Sequence, residues 1–134
     1  MNALTALYEL LIAQTAIAAL VGTRVYGPNQ VIKKANFPCI LISRVGGSSD
    51  LEDEVRAIEN AIFDVRCYGN SQPEANAVYA ALRDLDKLVN LKTTNYHFHV
   101  IELVQTGSDL PEQITESERW DAVYCSLRAE IEKK

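Results

Sequence analysis

The apolar positions change period within residues 60–89. From Asn60 to Tyr68 they alternate, with Ala61, Phe63, Val65 and Cys67 on one side and Ile62, Asp64, Arg66 and Tyr68 on the other. That two-residue period marks a strand with one buried face. Gly69 and Asn70 interrupt it. Ser71, with Glu74 three residues on, reads as a capping box, and Pro73 is tolerated because first-turn amides lack intrahelical partners. Ala75, Val78, Leu82, Leu85 and Val89 then recur at steps of three and four, a single apolar helical stripe. A half-buried strand running straight into a half-buried helix folds the helix onto the sheet.

The flanking segments complete that layer. Met1 to Val21 carries one charged side chain, Glu9. The spacing predicts one amphipathic helix with a wide apolar face. Leu4, Leu7, Leu11 and Ala18 form one edge of that face, and Leu10, Ile17 and Val21 the other. Such a width suits two contacts, the sheet and a neighbouring subunit. No Lys or Arg precedes the apolar run as a secretory signal requires, and Thr5, Glu9, Gln14 and Thr15 interrupt it short of a membrane span, so no membrane is expected. Gly22 stops the helix. Thr23 to Tyr26 is a short extended piece, and Gly27 to Pro38 a loop containing the solvated pair Lys33 and Lys34.

Cys39 to Val45 reads as a buried strand, and Gly46-Gly47-Ser48-Ser49 as a turn. Such a turn can cradle phosphate, but here it runs into Asp50, Glu52, Asp53 and Glu54, which repel it. Asp50 to Glu59 is ambiguous. Glu52 and Arg56 have helical spacing, whereas Val55 and Ala57 extend the strand alternation backwards. The latter predicts a projecting acidic hairpin arm whose second strand runs from about Val55 to Tyr68. Asn90 to Asn95 is a polar connection, Tyr96 to Gln105 a strand, and Gly107 to Glu118 an acidic loop. Arg119 to Ile131 is the last strand, with Val123, Cys125, Leu127 and Ile131 facing one way and Trp120, Tyr124 and Arg128 the other. The order helix-strand-strand-helix-strand-strand predicts one α+β domain over residues 1–134. It is an antiparallel sheet of about four strands with two helices on one face. Ile62, Tyr68, Trp120 and Tyr124 fall on the uncovered face, which argues for self-association.

Composition narrows the function. The chain has 134 residues, 48% apolar and 23% charged, with a formal charge of −5. Its 13 Lys and Arg are scattered, which gives no footprint for gripping nucleic acid. The three cysteines, Cys39, Cys67 and Cys125, are far apart within apolar strands, as expected of reduced buried thiols.

Candidate chemistry is sparse. His97 and His99 lie two apart on one side of a strand and can supply two metal ligands, with Glu102 or a cysteine imaginable as a third. Nothing in the spacing places that third group. No G-x-S-x-G exists, and no serine or cysteine has a recognisable partner. Asp64 and Asp121 suit pairing with Arg66 or Arg119 better than acid-base work. A pair of partly exposed strand histidines is the plainer account of His97 and His99, so no catalytic residue, no metal and no cofactor are expected.

Four segments, in this order, resemble the tail-completion (tail-terminator) proteins of long, non-contractile-tailed bacteriophages and prophages. They are LVGTRVYG (Leu20 to Gly27), FPCILISRVGG (Phe37 to Gly47), FDVRCYGNSQPEANAVYAALRDL (Phe63 to Leu85) and WDAVYCSLRAEI (Trp120 to Ile131). The arm at Gly47 to Arg56 and the loop at Gly107 to Glu118 depart from the family pattern. The resemblance implies a small structural protein that forms a hexameric ring on the head-proximal end of the tail tube. There it stops tube polymerisation and joins the head, so it is assembled in the host cytoplasm and carried in the virion. Its implied partners are other copies of itself, the tail-tube protein and a head-tail connector, with DNA passing through unbound. Interface candidates are Leu10, Ile17, Ile62, Tyr68, Trp120 and Tyr124. Asp50, Glu52, Asp53 and Glu54 are candidates for lining the opening, although a solvated acidic loop is the plainer account of them. Two alternatives remain: another head-tail joining or neck protein, and a small cytoplasmic metal-dependent enzyme or ligand-binding domain using His97 and His99.

Overall fold

The computed structural model describes residues 2–53, 56–109, 112–113 and 118–134, with backbone alone for residues 48–53, 56, 57 and 113. The single helix expected at the start is two: α1 (Ala3–Ala13) and α2 (Thr15–Val21), bent by 90° at an extended Gln14. The apolar face was too wide for one straight rod against one sheet. The bend lets Leu7, Leu10 and Leu11 of α1 and Ile17 and Val21 of α2 all enter the core, each at most 1% exposed. Asn2 caps α1 by accepting from the Leu4 and Thr5 amides. Glu9 accepts from the backbone and side-chain nitrogens of Asn95, tying α1 to the far side of the sheet. Among the described residues, no single helix is long and apolar enough to cross a membrane.

The sheet is larger than expected. Strands β1 (Val25–Tyr26), β2 (Cys39–Asp53), β3 (Arg56–Gly69), β4 (Leu88–Lys92), β5 (Tyr96–Asp109), β6 (Glu112–Gln113) and β7 (Arg119–Lys133) accompany helix α3 (Gln72–Arg83). Their order is β1-β2-β3-β7-β5-β4, with β6 pairing to β7 off this path. The β1–β2 pair is parallel, so the sheet is mixed; the other pairs are antiparallel.

Three boundaries differ from expectation for physical reasons. Gly46 to Ser49 continues β2 instead of turning, past a bulge between Arg44 and Gly46. Gly47 has φ +120°, and a Cβ there would sit 1.9 Å from the Asn60 carbonyl oxygen, so glycine permits strand pairing here. Val89 leaves the helical stripe. The chain turns after Asp84 through Lys87 at φ +64°, and Leu88 and Val89 open the exposed edge strand β4. Residues 107–109 and 112–113 of the expected acidic loop are extended, in β5 and β6.

The predicted cap forms, with its return bond one residue earlier than in a capping box. Ser71 accepts from the Glu74 amide, while the Glu74 carboxylate reaches back to the Asn70 amide. Ala75, Val78 and Leu82 of α3 pack with Phe63, Val65, Phe98, Ile101 and Leu127 of the sheet in one core. Each large side chain so buried contributes about 1.5–3 kcal/mol.

Candidate functional site

The face of the sheet opposite the helices is partly covered by its own chain. Phe37, from the loop before β2, stacks on Tyr68 with ring centroids 5.4 Å apart and meets Trp120 edge-on at 5.0 Å. Tyr68 and Trp120 complete the triad at 5.6 Å. Cys39 and Ala122 are buried with them, and Tyr26, Ile32 and Leu41 pack alongside. This second, smaller core corrects the expectation that the face lacks cover. The Gly27–Pro38 loop supplies it, a role that its lack of periodicity concealed. The Tyr68 hydroxyl donates to Glu112, whose other oxygen takes Arg66 Nη1 at 2.8 Å. Burial and the adjacent Glu112 carboxylate push the Tyr68 phenol up to about 12.

Next to this triad the face is a lattice of polar pairs. Ser126 donates to Asp64, and the Arg66 guanidinium lies 5.4 Å over the Tyr124 ring. Arg128 bonds Glu102 at 2.7 Å and also reaches Asn60 and Glu130. Glu102, once imaginable as a third metal ligand, is therefore engaged with Arg128. The three thiols are buried, and desolvation raises each one's pKa, to about 12 for Cys39 and Cys125, which keeps them protonated.

The expected interface residues separate into two groups. Leu10 and Ile17 are 1% exposed and Tyr68 is 2% exposed, all three consumed by the cores of the chain itself. They are thus not available to a neighbour in this fold. Ile62, Trp120 and Tyr124 are half-buried on the helix-free face. Of the acidic arm residues, Asp50, Glu52 and Asp53 lie on β2 by backbone, and Glu54 is outside the described residues.

Sequence reasoning missed the sheet edges. Among the described residues, β1 covers β2 only at Ile40 and Leu41 and the remainder of that edge is open, with Val45 56% exposed. On the far edge β4 leaves Val89 58% exposed, and Val104 of β5 is 57% exposed beyond its reach. Two opposed edges carrying exposed valines are a template for strand addition. The signal in the sequence was Leu88-Val89, absorbed there into the helical stripe.

A last cluster joins His97 and His99 to Glu132. A bulge between Phe98 and Val100 breaks the pairing of β5 with β7, so that Phe98 and Ile101 both face the core. His97 lies opposite Glu132, and His99 Nε2 reaches Glu132 Oε2 at 2.8 Å.

Comparison with known families decides the assignment. The model of the family "Tail completion protein gp17" matches residues 5–87, more than half of the chain. The chain belongs to that family. As a tail-completion protein it is a structural component of a phage-type virion. Among solved structures, a chain from the "virion of native gene transfer agent (GTA) particle" is similar to this tail-completion protein. The TM-score is 0.55 at 20% identity, over 96% of this chain and 93% of that one. At such identity the likeness is one of fold. Comparison with curated proteins returns no match.

Proposed function

We propose that this tail-completion protein closes into a homo-oligomeric ring, a hexamer, on the head-proximal end of a phage tail tube. There it ends tube polymerisation and offers the opposite surface to a head-tail connector. The observation that carries this reading is the family match over residues 5–87. The two open sheet edges support it, because a heterologous contact between unlike edges generates a ring when its rotation closes. Val45 of β2 meets Leu88 and Val89 of the next chain's β4, while Ile62, opposite Gly46 on β3, flanks the joint. The acidic residues Asp50, Glu52 and Asp53, carried on β2, line the opening in this reading together with Glu54 of the same acidic run, and like charge lets DNA slide through without sticking. The fold's likeness to a gene transfer agent virion chain fits a place in the particle.

The test combines light scattering with negative-stain imaging of the purified protein, alone and with tail tubes. Six-membered rings seated on one tube end are expected. Val89→Lys and Val45→Lys should each block ring formation without lowering the unfolding temperature. A chain that stays single at every concentration and ignores tube ends overturns the proposal, and binding to portal or adaptor protein alone reassigns it to the neck. Neutralising the four acidic residues with no change in DNA delivery removes the lumen role.

A further inference from the structure

We propose that His97, His99 and Glu132 bind a divalent transition-metal ion of the zinc class on the helix-free face, between β5 and β7. One ligand atom from each residue lies within 4.8 Å of the others, and the two imidazole rings are 4.1 Å apart. All three side chains are half-buried, so they are shielded from water yet able to rotate. Separately, among the described residues, His97 Nε2 is buried with no hydrogen-bond partner. A buried polar atom left so is unfavourable, and coordination gives it a partner.

The donor chemistry selects the ion. Two imidazoles and one carboxylate suit zinc, cobalt or nickel, whereas magnesium and calcium take oxygen donors. Bonds of about 2.0–2.2 Å in a tetrahedron place neighbouring donors about 3.4 Å apart. The His99–Glu132 contact at 2.8 Å must then open slightly, exchanging a hydrogen bond for a shared ion. Three protein donors leave a fourth position for water. Lys92, Lys133 and Lys134 line the adjoining cleft and oppose a cation electrostatically, which tunes the affinity downward. The Lys134 ammonium is held at the Thr93 carbonyl, 2.6 Å away. A bound ion would staple the bulged strand β5 to β7, whether or not the chain forms a ring.

The experiment uses the full chain stripped with EDTA and titrated with zinc chloride at pH 7.5 by calorimetry, with parallel melts. One zinc per chain, a Kd on the order of 10 μM or tighter and a raised unfolding temperature are expected. Cobalt(II) should give the visible absorption of a four- or five-coordinate ion. His99→Gln and His97→Ala should each weaken binding at least about thirtyfold, and Glu132→Gln about tenfold. If His97→Ala fails to fold, His99→Gln alone carries the comparison. No heat and no thermal shift at 200 μM zinc, or undiminished binding in the His99→Gln variant, overturns the proposal.

Discussion

The Tyr79 hydroxyl accepts a 2.8 Å hydrogen bond from the Gly107 amide, reaching from α3 to the open edge of β5. The Asp86 carboxylate does the same for the Leu103 amide at 2.7 Å. Two edge amides that could recruit a foreign strand are thereby satisfied from within the chain. The approach is close, since a Cβ on Gly107 would lie 2.6 Å from the Tyr79 ring.

Tyr79→Phe should cost about 1 kcal/mol, the worth of one hydrogen bond. Gly107→Ala forces the ring aside and should cost about 1–3 kcal/mol. Urea denaturation of Tyr79→Ala, of Gly107→Ala and of the pair should show a double change smaller than the sum, because removing the ring relieves the clash.

The two adjacent glycines of β2 should behave oppositely. Gly47→Ala places a methyl group against the Asn60 carbonyl in a left-handed backbone and should cost about 2 kcal/mol or more. At Gly46 the nearest atom to an added Cβ is Ile62 Cδ1 at 3.8 Å, so Gly46→Ala should stay within about 1 kcal/mol of the parent. Equal losses at both positions would contradict the register of β2 on β3.

Phe37 is 7% exposed and joins its loop to the sheet through Tyr68 and Trp120. Phe37→Ala should cost about 3 kcal/mol. It should also shift the fluorescence of the single tryptophan to longer wavelength. Unchanged emission would mean that the triad does not persist in solution.

Much of the fold was legible because its signals are local. The Ala61–Cys67 alternation, the Ser71/Glu74 cap and the stripe at Ala75, Val78 and Leu82 each lie within a dozen residues and need no distant partner. What escaped depends on partners far away in sequence. The bend at Gln14 answers to the shape of the core, since nothing local distinguishes that glutamine from a helical one. Phe37 looks like a loop residue until Tyr68 and Trp120 are placed beneath it. Glu132 became the companion of His97 only through the register of β5 on β7, which spacing within one strand cannot reveal. The arm's acidic side chains, which the sequence made prominent, are carried by residues described by backbone alone or, for Glu54, outside the described set.

His97 gives a pH signature. Its pKa is lowered from 6.5, chiefly by burial and then by His99 and Lys92. The unfolded chain takes up a proton near pH 6.5 that the folded chain refuses. The stability from this residue is therefore complete above that pH and lost as pH falls, levelling off below the folded-state pKa. Melts in EDTA should show the unfolding temperature dropping from pH 7 to pH 5, with a shallower drop for His97→Asn. Parallel curves would rule out His97 as the source.

The place of β7 between β3 and β5 also governs biosynthesis. The β2–β3 hairpin and the β4–β5 hairpin leave the ribosome early, but each lacks the neighbour that comes last. Until β7 emerges and slots between them, the nascent polypeptide holds two half-sheets with bare inner margins, the kind of species that chaperones shield. Loss of β7 would therefore forfeit the middle of the sheet and leave two hairpins with no shared strand.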